Sequence, residues 1–119
     1  MVLKMLEEIT NGYDGLIRTI NFPSFKKVVI EIAAMKKTTQ EWVCVRFDLE
    51  DLTEFAVRQK LMTDNTVLSN GIACQYIGDI YYIAFSPYST DMKNIDDFRK
   101  SDVYFAAHKI SFKVNPYSE

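Results

Sequence analysis

The sequence predicts a mainly β protein: an antiparallel, curled sheet or sandwich of about six strands, with one short N-terminal helix. Three observations predict this class. Apolar and polar residues alternate over 42–49, a run rich in β-branched residues occupies 27–36, and two apolar stretches flank the pair Gly78-Asp79. All three patterns are typical of antiparallel strands.

The composition is that of one soluble domain. The 119 residues suit a single β-rich domain over 1–119, and an aromatic content of 13% argues against disorder. The net charge of -2 provides no long-range field to attract a phosphate backbone, so we expect no nucleic-acid partner. No apolar run approaches the length of a membrane span, and Glu7 and Glu8 interrupt the apolar start that a signal peptide would need. We therefore expect a cytoplasmic protein with no membrane partner.

The spacing of apolar residues predicts the first two elements. Apolar residues at i, i+3, i+4 and i+7 predict a short amphipathic helix over 2–10: Val2, Met5, Leu6 and Ile9. Asn11-Gly12 then ends the helix, because glycine readily adopts the left-handed conformation needed there. After Gly15 the pattern changes to alternation over 16–22, which predicts a strand that Pro23 ends.

The next two strands are predicted over 27–36 and 42–49. One face of each strand is apolar: Val28, Ile30, Ile32 and Ala34 in the first, and Val43, Val45, Phe47 and Leu49 in the second. The opposite face of the second strand carries more polar residues: Trp42, Cys44, Arg46 and Asp48. This alternation predicts a half-buried antiparallel strand.

Two assignments fit residues 49–60. A helix capped by Asp48 would place Phe55 on an apolar helical face. A bend followed by a strand would instead point Phe55 and Val57 inward and Glu54 outward. We favour the strand, because the neighbouring segments are strands and short bends commonly join antiparallel strands.

A turn at 63–65 leads to a predicted hairpin over 72–85. A two-residue loop with Gly78 first suits a type II′ turn, which pairs Ile77 with Ile80 and continues outward to Ile72 with Phe85. The stronger core face carries six residues: Ile72, Cys74, Tyr76, Tyr81, Ile83 and Phe85. The other face is also largely apolar: Ala73, Gln75, Ile77, Ile80, Tyr82 and Ala84. We expect a second sheet layer or the N-terminal helix to cover that face.

A long connection precedes the last strand. Turn-forming residues break the pattern over 86–102, where Ile95 and Phe98 anchor one short helical turn. The final strand, over 102–114, changes its apolar parity near His108, which predicts a bulge or a crossing between two sheets. Residues 115–119 are predicted to be a frayed tail.

Few residues carry catalytic chemistry. His108 is the one histidine, and no nucleophile signature places it beside a cysteine or serine. Cys44 and Cys74 are predicted to be reduced, with a disulfide as the alternative if their strands are neighbours. We expect no enzyme activity, no cofactor and no metal site, because one histidine and two scattered cysteines lack metal-ligand spacing. The alternative is a small-ligand or hydrolase-like pocket within the curled sheet, lined by Tyr76, Tyr81 and Phe85 with His108 or Glu54 at its mouth.

The remaining residues favour binding of a protein partner. Trp42 and Tyr82 lie on the second faces of their strands, where large aromatic side chains serve as interface anchors. The stretch DLEDLTE groups four carboxylates that we expect to steer a basic partner to the surface: Asp48, Glu50, Asp51 and Glu54. These six residues are the predicted partner-binding residues. A homodimer formed through the second apolar face is a further alternative.

The succession of strands resembles a known class of proteins. The segments VCVRFDLEDLTEFAV, LSNGI, GDIYYIAFSP and SDVYFAAHKISFKV follow one another between residues 40 and 114. They resemble small β-rich bacterial immunity-type proteins of toxin–immunity loci and related uncharacterised cytosolic proteins. The resemblance implies a non-enzymatic module that binds one cognate toxin and blocks it by occlusion. A basic nuclease toxin would suit the acidic stretch.

Overall fold

The computed structural model describes residues 2–58, 67–68, 70–87 and 92–117, without the side chains of Thr10 and Ser86. This part of the chain contains the helices α1 (Val2–Glu8) and α2 (Ile95–Arg99), a 3-10 turn (Thr10–Gly12) and the strands β1 (Leu16–Ser24), β2 (Lys27–Met35), β3 (Trp42–Val57), β4 (Ala73–Ile77), β5 (Ile80–Ser86) and β6 (Val103–Pro116). The predicted mainly β class is therefore confirmed. The turn predicted at 63–65 lies outside the described residues.

All six strands form one antiparallel sheet in the order β1-β2-β3-β6-β5-β4. β3 and β6 are the longest strands and pair with each other over almost their whole length. β2 pairs with residues 42–50 of β3, whereas β5 pairs with residues 103–107 of β6. The β3–β6 pair therefore joins two half-sheets, the β1–β2 half and the β4–β5 half, and the whole sheet curls without closing.

The two halves meet at a bend in the β3–β6 pair. Asp51 has a left-handed φ of 55°, and the register shifts between Leu52 and Glu54. On β6 the core-facing positions pass from Ala107 to Ile110, so the parity changes at His108 and the residue after it. The predicted change of parity is confirmed, and an irregularity of this kind lets a sheet curl because it increases the local twist.

The stretch with two assignments is a strand, since β3 continues to Val57. Phe55 and Val57 pair with Phe105 and Val103, two core residues of β6, so they project from the predicted face. Their side chains are nevertheless 47% and 49% exposed. They lie beyond β2, whose pairing with β3 ends at Glu50. The predicted face of Phe55 and Val57 is therefore confirmed, whereas the burial predicted for their side chains is wrong.

The main hydrophobic core lies between α1 and the inner face of the sheet, the face that carries Phe47 and Phe105. All four residues of the predicted helical stripe are buried: Val2, Met5, Leu6 and Ile9. Aromatic rings fill the centre, where Phe85 meets Phe47 and Phe105 edge-on at centroid distances of 5.3 and 6.0 Å. Burial of such side chains stabilises the fold by about 1.5–3 kcal/mol each.

A second, smaller core lies on the outer face of the β4–β5 half. Met92, Ile95 and Phe98 pack there over a set of hairpin and β6 residues: Tyr82, Ala84, Tyr104 and Ala106. Asn94 caps α2, because its side chain accepts a hydrogen bond from the Asp97 backbone at 3.0 Å and its own N–H donates to Asp97 at 3.2 Å. The predicted helical turn is thus confirmed. It is α2 that covers the second apolar face of the hairpin, rather than a second sheet layer or the N-terminal helix.

The hairpin register is the predicted one from Ala73–Ala84 to Ile77–Ile80. The predicted turn type is wrong, however. Gly78 and Asp79 have φ angles of 57° and 66°, and two consecutive positive φ angles define a type I′ turn instead of type II′. Aspartate tolerates the left-handed region, so this pair of residues accommodates type I′.

Candidate functional site

Three of the four predicted carboxylates contact cations on neighbouring strands or along their own strand. The contacts are Asp48 with Arg46 at 3.1 Å, Glu50 with Lys27 at 3.4 Å, and Asp51 with Lys109 at 3.8 Å. Arg46 also donates a second hydrogen bond to Asp48 at 3.2 Å, and this bonding raises the pKa of Arg46. These pairs neutralise the acidic stretch locally. It therefore does not present the block of negative charge that would steer a basic partner.

Glu54, the fourth carboxylate, holds α2 against the sheet. Arg99 donates two hydrogen bonds to its carboxylate, at 2.8 and 3.0 Å, and the Tyr104 hydroxyl donates a third at 3.2 Å. The bonds from Arg99 hold the pKa of Glu54 below its ordinary value, although partial burial opposes the shift. Burial and the neighbouring Glu54 carboxylate raise the pKa of Tyr104. Glu54 thus has a structural role in this arrangement.

Replacing Glu54 by glutamine should lower the free energy of unfolding at neutral pH by about 0.5–1 kcal/mol, the range of a well-formed, partly exposed ion pair. A depressed carboxyl pKa stabilises the fold above the unfolded-state value, and this stabilisation is lost as the pH falls through the folded-state value. The difference between wild type and variant should therefore shrink at pH values below 4.5, the ordinary pKa of glutamate. Urea denaturation over a pH series measures it.

Glu50→Gln is the matched control, because among the described residues Glu50 forms one ion pair, with Lys27, and the side chains of both residues are largely accessible to solvent. We expect it to have a smaller effect at every pH. A Glu54→Gln difference that stays constant or grows on acidification would contradict the role of this ion pair.

The Trp42 surface, defined by Arg18, Trp42 and Tyr117, lies on the outer face of the β1–β2 half. The rings of Trp42 and Tyr117 are 6.4 Å apart, and the Arg18 guanidinium lies 5.7 Å from the centre of the Tyr117 ring. Trp42 is 41% exposed and Tyr117 is 47% exposed. An open cleft of about 600 Å³ adjoins them, lined also by Lys36, Gln40, Glu41, Val43, Val114, Asn115 and Pro116. Two large aromatic rings are thus partly exposed and can contact a partner.

Of the two predicted aromatic anchors, the structure exposes Trp42 and buries Tyr82. Tyr82 is 4% exposed, and its ring packs 5.7 Å from that of Phe98 beneath α2. Tyr82 is therefore left out of the candidate surface. Tyr117 takes its place there, although the sequence predicts only a tail after residue 114. Continuing the β3–β6 register from Leu49–Ile110 to Val43–Pro116 would have placed Tyr117 beside Trp42.

A second exposed apolar group, the Phe25 surface, lies at the opposite end of β1 and β2. It consists of Phe22, Phe25, Phe55 and Val57, and Phe25 is 85% exposed at the β1–β2 turn. The rings of Phe22 and Phe55 are 4.8 Å apart. The exposure of these side chains makes them a natural control for tests of the Trp42 surface.

The residues of the alternative pocket lie in different surroundings: some are exposed and others are part of the main core. Tyr76 is exposed and its ring lies tilted against that of Tyr81, with the ring centroids 4.5 Å apart, whereas Phe85 is buried in the main core. His108 is exposed, with Nδ1 3.3 Å from the Asp79 carbonyl oxygen. A cleft lies elsewhere, between α1 and β4, where it has a volume of about 500 Å³ and includes Cys74. Burial raises the pKa of the Cys74 thiol to about 12, so this thiol stays protonated at neutral pH.

Cys44 and Cys74 are both free thiols, and their strands β3 and β4 are not neighbours in the sheet. Within the described ranges, no group of three or more histidine, cysteine, aspartate or glutamate side chains is arranged to hold a metal ion. In the same part of the chain, no helix has both the length and the apolar character needed to cross a bilayer. No protein-family model, curated protein or solved structure matches this chain.

Proposed function

We propose that the protein is a non-enzymatic protein-binding module that contacts its partner through the Trp42 surface. The exposure of Trp42 and Tyr117 beside Arg18 carries this proposal. Tryptophan, tyrosine and arginine are the residue types that contribute most binding energy at protein interfaces. Aromatic side chains also lose little conformational entropy on binding, since each has two rotatable side-chain bonds.

The strand pairing that holds Trp42 and Tyr117 supports binding by a preformed surface. Trp42 is the first residue of β3 and pairs with Met35 of β2, while the preceding turn is closed by a hydrogen bond from the Lys36 N–H to the Glu41 carbonyl at 2.9 Å. On the β6 side of β3, Val43 pairs with Pro116, and this pairing positions Tyr117, the next residue in the chain. Side chains held on rigid elements lower the entropic cost of association.

Within this class, we propose an immunity protein that occludes a cognate toxin. The resemblance of the strand succession to immunity-type proteins supports this more specific assignment, and a rigid aromatic surface suits occlusion. The mechanism requires no reactive group on this chain. Binding alone would cover the toxin's functional surface.

The Trp42→Ser variant should bind the partner at least tenfold more weakly than the wild type, because truncating a central interface anchor costs about 2 kcal/mol or more. The partner is identified by affinity capture from the native host, checked first against the products of adjacent genes. Calorimetry then measures its dissociation constant with purified wild-type and variant protein. Light scattering reports the mass of the complex.

Phe25→Ser is the matched control, because it removes an exposed aromatic side chain at the opposite end of the sheet. Its affinity for the partner should equal that of the wild type. Loss of binding by Phe25→Ser with retention by Trp42→Ser would overturn the assigned surface. Catalytic turnover by the purified protein that His108→Ala abolishes would overturn the non-enzymatic assignment.

A further inference from the structure

The two edges of the sheet differ in how they are protected. At one edge, the first residue of β1 bridges Val67, Pro23 lies within the strand, and the register with β2 shifts twice. Proline and register irregularities keep an edge strand from pairing with another chain. At the other edge, β4 contains no proline and no charged residue, and it pairs with β5 without a shift. Among the described residues, β4 has a neighbouring strand on one side only.

The hairpin geometry determines which backbone groups of β4 face this open edge. In a type I′ hairpin with a two-residue loop, the residues that flank the loop exchange both backbone hydrogen bonds, and the pattern alternates along the strands. Ile77, Gln75 and Ala73 therefore bond to β5. Cys74 and Tyr76 direct their N–H and C=O groups the other way, toward the open edge.

The position before β4 shows that this edge accepts another segment of backbone. Residue 72 has the same parity as residues 74 and 76, and its N–H donates to the Asn11 carbonyl oxygen at 2.6 Å. The edge is thus occupied at its first position. Within the described ranges, no backbone hydrogen bond continues this pairing to Cys74 and Tyr76.

The open edge lies in a groove, the β4 groove, which has a wall on each side. α1 packs on the inner face of the sheet and forms one wall, which includes Leu3. Met92 packs on the outer face and belongs to the other wall, where its carbonyl oxygen accepts a hydrogen bond from the Gln75 side chain at 3.3 Å. This groove is the cleft of about 500 Å³ that includes Cys74, and none of the described β5 residues lines it. It therefore runs beside the edge of β4 and not across a face of the sheet.

We infer that the β4 groove binds an extended segment of a protein partner, which adds to the sheet as a further strand. The segment exchanges backbone hydrogen bonds with Cys74 and Tyr76. Its alternate side chains toward α1 are apolar, because they meet the exposed side chains of Leu3 and Tyr13. Strand addition draws affinity from main-chain hydrogen bonds and specificity from alternate side chains. The site shares no residue with the Trp42 surface, so the inference goes beyond the proposed function.

The β4 strand of a second copy is the other source of an extended edge. That strand stands between the same two walls in its own molecule. Paired strands must approach to about 4.8 Å, and the walls of two facing grooves would meet before the edges did. A single extended segment brings no walls with it. The groove therefore favours a segment of a partner over a second copy.

Amide hydrogen exchange tests the open edge directly. In the free protein, the amides of Cys74 and Tyr76 should exchange about tenfold faster than those of Gln75 and Ile77, which donate to β5. The probe is a capped heptapeptide of alternating leucine and threonine, and its addition should slow exchange at Cys74 and Tyr76. Slow exchange of both amides in the free monomer would overturn the inference, because the edge would already be paired.

Two N-methylated versions of the heptapeptide separate backbone pairing from apolar contact. One carries the methyl groups on its leucine nitrogens and the other on its threonine nitrogens, and only one of these sets can face β4. Calorimetry should therefore show that one version loses binding and the other retains it. Equal affinity of the two versions would overturn strand addition.

Tyr76→Pro removes a donor from the open edge and leaves the bonds to β5 in place, since proline is tolerated where the N–H faces away from the sheet. We expect it to weaken heptapeptide binding about tenfold. Tyr76→Ala is the matched control, because it removes the same exposed ring and keeps the N–H, so it should bind like the wild type. Equal binding by the two variants would contradict the inference. If Tyr76→Pro does not fold, the methylated peptides decide, because they leave the protein unchanged.

Light scattering distinguishes the two occupants. A doubled mass, with exchange at Cys74 and Tyr76 slowing as the protein concentration rises, would replace the partner segment with a second copy. Trp42→Ser should bind the heptapeptide as tightly as the wild type, because Trp42 lies outside the groove. Loss of heptapeptide binding in that variant would overturn the assignment of a separate site, whatever its effect on the captured partner.

Discussion

Replacing Phe105 by alanine should lower the free energy of unfolding by about 3–5 kcal/mol, the range for large-to-small changes of a buried phenylalanine. Phe105 is fully buried, and its ring is 6.0 Å from that of Phe85 and 6.1 Å from that of Phe55. Its strand pairs with β3 on one side and β5 on the other. The cavity would therefore open where the β4–β5 half meets the main core, and few neighbours could move to fill it.

Chemical denaturation of wild type and variant measures this loss. Phe25→Ala is the matched control, because it removes the same atoms from a side chain that is 85% exposed, and it should change stability by no more than about 0.5 kcal/mol. If Phe105→Ala cost no more than Phe25→Ala, the assignment of Phe105 to the centre of the core would be wrong.

Replacing Phe98 by alanine should cost about 3 kcal/mol and release α2 from the outer face of the hairpin. Phe98 is fully buried, and α2 has only five residues, too few to remain helical without tertiary contacts. Loss of the phenylalanine ring would remove the ring that packs on Tyr82 and a fully buried member of the cluster that also contains Tyr104. Hydrogen exchange of the amides of residues 96–101 measures local release, and denaturation measures the total loss.

Glu54→Gln provides the comparison for this variant, since it removes the ion pair to Arg99 and leaves the apolar contacts of Phe98 in place. We expect Phe98→Ala to be the more destabilising of the two. The reverse order would mean that α2 is held by its charges, and that the second core contributes little.

Local sequence patterns were sufficient for most of the sheet. The alternation over 42–49, the hairpin register around Gly78-Asp79 and the parity change near His108 all appear in the structure. A strand has a period of two residues, and a two-residue loop determines which residues face each other. These signals lie within a few residues of the feature that they determine. The predicted turn type was wrong because both Gly78 and Asp79 adopt positive φ angles. A type II′ turn has a positive φ angle at the first of these two positions alone.

The candidate site was only partly predictable. Trp42 and Tyr82 have the same position in the sequence pattern, on the less apolar face of a strand, yet one is exposed and the other is buried. α2 makes the difference, because Phe98 packs on Tyr82 and no helix of the described residues packs on Trp42. The carboxylates were likewise visible as a cluster, but Lys27, Lys109 and Arg99 come from β2, β6 and α2. Their pairing depends on contacts that no local pattern contains.

The sequence by itself determined the strand class and the faces of the long strands, including the less apolar face on which Trp42 lies, because side-chain alternation and turn chemistry act over a few residues. Only the tertiary structure decided which apolar face is covered and which carboxylates form ion pairs. Those outcomes depend on segments distant in the chain meeting across a curled sheet. A short-range pattern records which side of a strand a residue occupies, but not what the folded chain places against it.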